Sequence, residues 1–271
     1  MPFYDLDDNR WPAFLSSGAA LWALAAVIAD RAGLGGRWFG TQLWTAGGRA
    51  WPTAGLQLAG AVALASLMSE PLSGWLGELW LGRRLRAALG PLLKRRRRRW
   101  AAAHAAGKSG GSPQHRLHHI ALRNRIALAP PQSATWMGDR VQALETRVFS
   151  EYGLDFPSAW PGLWLVVPEP CRAELRSAAT AWRRATRRGA WALLYGVLTV
   201  AWWPLLLVAG MALVSALRSA RRAMEALTDL AEAAVDLHAR DLAGQLGIDT
   251  ADGQVDPPTG RLVTIRLRKG V

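Results

Sequence analysis

Cysteine is nearly absent from this 271-residue chain, and tyrosine and phenylalanine are scarce, with one, three and five copies respectively. The lone Cys171 cannot close an intramolecular disulfide, which excludes a covalently stapled scaffold. It reads as a small apolar packing residue on the reducing, cytoplasmic side. Catalytic signatures are missing too. Gly107-Lys108-Ser109 has no preceding glycine at the spacing a phosphate-binding loop requires. There is no glycine-rich dinucleotide turn, metalloprotease helix or Ser–His–Asp order. His115, His118 and His119 cluster without a cysteine, among arginines that repel a cation, whereas zinc takes three or four N, S or carboxylate ligands. The expectation is therefore no enzyme, no metal and no cofactor.

Charge is missing from three long windows, Trp11–Ala29, Ala50–Ser69 and Gly189–Leu217. The first two run to about 20 residues, the length of a helix that crosses the ~30 Å hydrocarbon core of a bilayer. Three such windows in one short chain argue for membrane helices over buried core helices. The third window would be about 43 Å long as one straight helix. It carries Trp202-Trp203-Pro204 at its middle, where proline removes a backbone donor and disfavours helix just before it. Arg183, Arg184, Arg187 and Arg188 precede the window, and Arg218, Arg221 and Arg222 follow it. Arginine-rich flanks stay in the cytoplasm, and a helical hairpin keeps both clusters there while a single span exports one. No charged side chain lies inside the windows, which speaks against an ion-coupled transporter. Gln57 reads as a helix–helix hydrogen-bonding residue.

Tryptophan, by contrast, occurs 15 times, and the formal net charge is +13. Indoles favour the membrane–water interface. These features predict an all-α membrane protein. Residues 1–69 form an N-terminal transmembrane hairpin whose Ala59/Ala63 and Ala61/Ala65 pairs allow close helix approach. Residues 70–133 form a basic interfacial helix followed by a flexible linker, Ala101–Pro131, with Gly107–Gln114 as turn chemistry. Residues 134–188 are a cytoplasmic segment: Thr135 caps a helix with Val141, Leu144 and Val148 on one face and Gly153 as its stop. Tyr152–Pro170 reads as an apolar loop, and Pro170 starts the next helix, with Leu175, Ala178, Ala179 and Trp182 on one side. Residues 189–217 are the second transmembrane hairpin, and 218–271 a cytoplasmic helix and tail. In that tail Arg261–Arg268 alternates like one short strand, disorder being the other reading. Both termini are placed in the cytoplasm of a plasma-membrane protein. Asp5, Asp7 and Asp8 at the start do not fit a signal peptide, which begins basic.

Arg83, Arg84 and Arg86 alternate with Trp75, Leu76, Leu79, Trp80 and Leu85, and Lys94, Arg95, Arg96, Arg97, Arg98 and Arg99 follow as six consecutive cations. An amphipathic basic helix beside a span is a site for anionic lipid. A topology signal, an acidic protein partner or a homo-oligomer are further readings, and nucleic acid is not an expected partner. Reflection about Trp203-Pro204 pairs Arg176 with Glu232 and Arg172 with Asp236. This predicts that the hairpin continues as a cytoplasmic antiparallel coil, with Leu217, Met224, Leu227, Ala231, Ala234, His238 and Leu242 as its packed stripe. The function expected is a membrane anchor or scaffold. The alternatives are an oligomeric pore lined by Gln57 and the alanine faces, and a membrane enzyme using Asp155, Asp236 and His238.

Ala134–Glu145, Tyr152–Leu175 and Ala231–Ile248 resemble a group of uncharacterised multi-pass membrane proteins of high-GC actinobacteria. The resemblance covers the second half of the chain. It implies an inner-membrane protein with a cytoplasmic middle segment, and carries no activity.

Overall fold

Helix is the only regular structure among the described residues of the chain, here a computed structural model. These are 51–83, 90–108, 112–127, 130–199, 203, 205–250 and 253–268, with backbone alone at 51–62 and 198. The elements are α1 (Trp51–Trp80), α2 (Gly90–Lys108), α3 (Pro113–Ile126), α4 (Trp136–Tyr152), α5 (Phe156–Val166), α6 (Glu169–Leu198), α7 (Leu205–Gln245) and α8 (Pro257–Leu267). The expected span at 11–29 and the loop that follows it lie outside the described residues.

Two compact units divide the chain, and α1, α6 and α7 each run from one into the other. In the unit holding 7–77 and 181–220, Trp191 and Tyr195 of α6 cluster with Ala65 of α1 and Ala209 of α7, with Leu194 beside them. Residues from both halves of the third window thus share one cluster, with α6 ending at Leu198 and α7 starting at Leu205. Among the described residues, however, no helix is long and apolar enough to cross a membrane. The third window is divided: its 29 residues are shared between two helices, and its α7 part, 205–217, is about 20 Å long. The boundary expected at 69/70 also falls inside α1, which continues through Pro71.

The other unit holds 78–180 and 221–271. The face predicted for α4 is buried at Val141, Leu144 and Val148. Thr135 accepts from the Gly138 N–H and Gly153, at φ 69°, closes the helix. The α7 stripe is buried at Met224, Leu227, Ala231, Ala234 and Leu242 and half-buried at Leu217 and His238. Three expectations fail here, each because a local cap outweighed a turn-rich or alternating composition. The linker is two helices, since Ser112 caps α3 ahead of Pro113. The apolar loop contains α5, since the Asp155 carboxylate accepts from Ser158 N–H and buries Phe156, Trp160 and Leu163. The tail strand is α8, capped by Asp256 with prolines in its first turn. It packs on α4 and α5.

Gly153 and Gly260 let these elements meet. A Cβ on Gly153 would run into the Pro257 carbonyl, and one on Gly260 into the Tyr152 carbonyl. The end of α4 and the start of α8 thus approach backbone to backbone, at a distance only glycine permits.

Candidate cationic interface

The run at 94–99 does not act as one block. At 100° per residue, Lys94, Arg95, Arg98 and Arg99 share one face of α2 and are exposed. Arg96 points the other way, into its own unit. Its guanidinium donates to Asp139 at 2.5 Å and to the Ile126 carbonyl at 2.8 Å. Arg97 donates to the Pro131 carbonyl at 2.8 Å, and the Trp100 indole N–H to the Ala127 carbonyl at 3.0 Å. These four bonds tie α2 to the segment 126–139.

Asp139 anchors the arrangement. It is 7% exposed and also accepts from the Gln132 and Ser133 backbone N–H groups, at 2.9 and 2.6 Å. Burial pushes its carboxyl above the usual value, against the pull of the Ser133 and Gln132 amides and of Arg96 and Arg97. Burial also lowers Arg96, opposed by Asp139 and helped by Arg221. Desolvation thus opposes both charges, and their mutual attraction and the two amide hydrogen bonds work against it.

α2 carries seven cations and α3 three, and neither helix has an acidic or a buried residue. The two helices pack on each other. Gly107 lies against His119 and Ile120. His115 and His119 approach at 3.2 Å between their Nε2 atoms, His118 meets His119 edge-on, and His104 stacks on Trp100 while lying 3.4 Å from Arg123. Among the described residues no group of three or more candidate ligands could hold a metal ion. Arg83 lies 3.9 Å from Glu78, while Arg84 and Arg86 lie outside the described residues.

Three acidic residues of α7, Asp229, Glu232 and Asp236, find partners on α4. Arg140 pairs with Asp229 and donates to the Thr228 hydroxyl at 3.1 Å. Arg147 pairs with Glu232 and reaches Asp236 at 3.2 Å. The Tyr152 hydroxyl donates to Asp236 at 2.9 Å, and burial together with that bond pushes the phenol up to about 12. Arg172 and Arg176 instead pair with Glu169, at 3.4 and 2.6 Å. Reflection about the hairpin took no account of α4, whose arginines sit closer to the α7 carboxylates. The sequence signal was present in Arg140 and Arg147, seven residues apart on one edge of the α4 apolar stripe. Asp155 pairs with Arg268 at 2.8 Å and His238 with Asp241 at 3.0 Å, so Asp155, Asp236 and His238 each have a separate partner. Comparison with known proteins finds no matching family model, no similar curated protein and no similar solved structure.

Proposed function

We propose that the chain is a plasma-membrane anchor or scaffold, held by apolar helices and gripping anionic phospholipid through Lys94, Arg95, Arg98 and Arg99. The observation that carries this reading is the surface of the unit containing the α6–α7 turn. Val197, Trp203, Leu207 and Met211 are 69%, 71%, 63% and 67% exposed, with Leu206, Val208 and Val214 beside them in sequence and also open. On α1, Leu64, Leu67 and Met68 are exposed as well. Water-solvated proteins rarely leave so many large apolar side chains together in the open. The apolar stretch ends at charge: Glu70 pairs with Arg187 at 2.9 Å, and Arg188 and Arg218 are exposed. Trp203 stands at its other end, as expected for an indole at an interface. Along α7 this layer measures about 20 Å. Snorkelling arginines and local bilayer thinning absorb the shortfall against ~30 Å.

The arginine bias keeps α2–α5, the outer part of α7 and both termini on the cytoplasmic side. Labelling with a membrane-impermeant maleimide tests it in a Cys171→Ser background. Met211→Cys should stay unlabelled in intact membranes and react once detergent is added. Leu237→Cys, 72% exposed on the α7 segment assigned to the cytoplasm, should react in inside-out vesicles without detergent. Equal labelling of both positions in intact vesicles would refute the anchor.

A further inference from the structure

We infer that the outer face of α8 is a second lipid contact, which lies in the headgroup layer of an anionic bilayer with Leu262 and Ile265 sunk between the lipids. The inference rests on the membrane anchoring proposed above and adds to it a helix far in sequence from α2. At 100° per residue, Gly260, Val263 and Leu267 share the inner side of α8. Val263 is fully buried, Gly260 is set against the Tyr152 carbonyl, and Leu267 lies beside Gly162 of α5. Pro258, Leu262 and Ile265 fall on the opposite side and are exposed, Leu262 and Ile265 each at 56%. Arg261 borders this stripe on one edge and Arg266 on the other, both exposed. Arg266 donates to the Leu246 carbonyl at 2.9 Å, a neutral acceptor that leaves its charge uncompensated. Arg268 is committed to Asp155. The helix itself holds no acidic residue. Asp256, just before it, caps it by accepting from the Thr259 N–H at 3.0 Å, with Arg261 close enough to lower its carboxyl a little further.

Burial on one side and exposure on the other make the stripe the crest of a ridge. A partner helix beds into a groove between elements, which a single crest does not offer. A headgroup layer takes a crest: apolar side chains sink between lipids while the cations beside them meet phosphates. Nucleic acid would meet the arginines and leave Leu262 and Ile265 without a counterpart. A second copy of this chain would bring the same arginines against Arg261 and Arg266, like charge on like, with no carboxylate on α8 to offset them. Shape and charge together select an anionic bilayer surface. The contact also starts from a helix already built. Asp256 and the prolines after it fix the first turn, and α4 and α5 hold the inner side, so docking orders no new backbone.

Nitroxide quenching in nanodiscs tests this on the full chain. In a Cys171→Ser background a dye is placed through Ile265→Cys on the α8 stripe, Met211→Cys on the apolar stretch of α7, or Leu237→Cys on the α7 segment assigned to the cytoplasm. Discs hold one chain each, in phosphatidylcholine with a nitroxide high on its acyl chain, alone or mixed with phosphatidylglycerol. The dye at 211 should be quenched in both discs and the dye at 237 in neither. The dye at 265 should be quenched when phosphatidylglycerol is present and released by salt. Arg261→Gln should move the docked-to-free ratio about fivefold toward the free state, the effect of one basic residue at the surface. Leu262→Ser should move it the same way, and both variants should keep the thermal midpoint, since both side chains stand outside the core. A dye at 265 that stays unquenched with phosphatidylglycerol, while the dye at 211 is quenched, overturns the inference and leaves the anchor standing. No quenching at either position overturns both. Quenching at 265 that is equal in the two discs and indifferent to Arg261→Gln overturns the assignment to anionic lipid. Shielding at 265 that appears only in discs holding two chains gives the face to a second copy and overturns it as well.

Discussion

Asp139→Ala should be the most damaging single change outside the apolar core. The carboxylate takes Arg96 at 2.5 Å and two backbone amides, at 6% side-chain exposure, while the Arg96 side chain is 20% exposed. Alanine leaves a largely buried guanidinium and two amides without an acceptor. Losing one member of a buried ion pair costs about 3–5 kcal/mol. Asp139→Asn keeps an oxygen for the amides and loses the charge, which should cost about 1–2 kcal/mol. Arg96→Met falls between, because burial already raises the Asp139 carboxyl and makes its neutralisation cheaper. The thermal midpoint in detergent should fall by about 10 °C for the alanine variant, at 2–4 °C per kcal/mol for a domain of this size. Hydrogen exchange should quicken first across α2, whose ties to Ile126, Ala127 and Pro131 all lie beside this pair. The combined Arg96→Met, Asp139→Asn variant should cost less than its parts, since it strands no charge. An alanine variant that melts within about 1 °C of the parent would refute this account of the anchor, since no loss near 3 kcal/mol could hide there.

Tyr152 offers a pH readout. Its phenol is raised in the folded state, so its contribution to stability is complete below the ordinary value of about 10 and is lost as pH rises through about 12. The absorbance difference between parent and Tyr152→Phe should therefore show a phenolate transition near 12; a transition at the ordinary value contradicts the Asp236 bond. Asp155 behaves oppositely. Burial pushes its carboxyl up, but hydrogen bonds from Ser158 and Arg268 and the Arg268 charge outweigh it and hold it below the usual value. Its stabilisation is present above pH ~4 and is lost as pH falls through the lowered value. Asp155→Ala should cost about 1–2 kcal/mol at neutral pH, from the lost cap and a partly exposed ion pair. That difference should shrink in acid, and a constant difference down to acid unfolding would contradict the assignment. Gly260→Ala should detach α8, because the new methyl meets the Tyr152 carbonyl. Proteolysis should then release the segment after Asp256, and an unaltered digestion pattern would count against the close backbone crossing.

Helical periodicity was the part of this fold most open to reading from sequence. Val141, Leu144 and Val148 on α4, and Met224, Leu227, Ala231, Ala234 and Leu242 on α7, are buried as their spacing requires. Thr135 and Gly153 bound α4 as expected. What stayed hidden were short helices whose caps look like loop chemistry. Ser112-Pro113, Asp155 with Pro157 and Asp256-Pro257-Pro258 each start a helix, yet Ser, Asp and Pro are also the residues of turns. Only packing decides between the two. The α5 cap succeeds because Phe156, Trp160 and Leu163 find a core, and the α8 cap because Gly260 allows contact with α4.

The six-cation run shows why a charge count cannot substitute for a face. Consecutive positions on a helix cannot all point at one partner, so a run of six must be divided by geometry. Four of its members share an exposed arc and two hold the segment 126–139 in place. Mutating the run as a unit would therefore confound lipid contact with folding. Replacing Lys94, Arg95, Arg98 and Arg99 by Gln should weaken docking on phosphatidylglycerol discs with the thermal midpoint unchanged. Replacing Arg96 and Arg97 should lower the midpoint, and docking should fall only as α2 comes loose. If the first set melts the protein and the second leaves it intact, the division of labour along α2 is wrong, and with it the face assigned to the membrane.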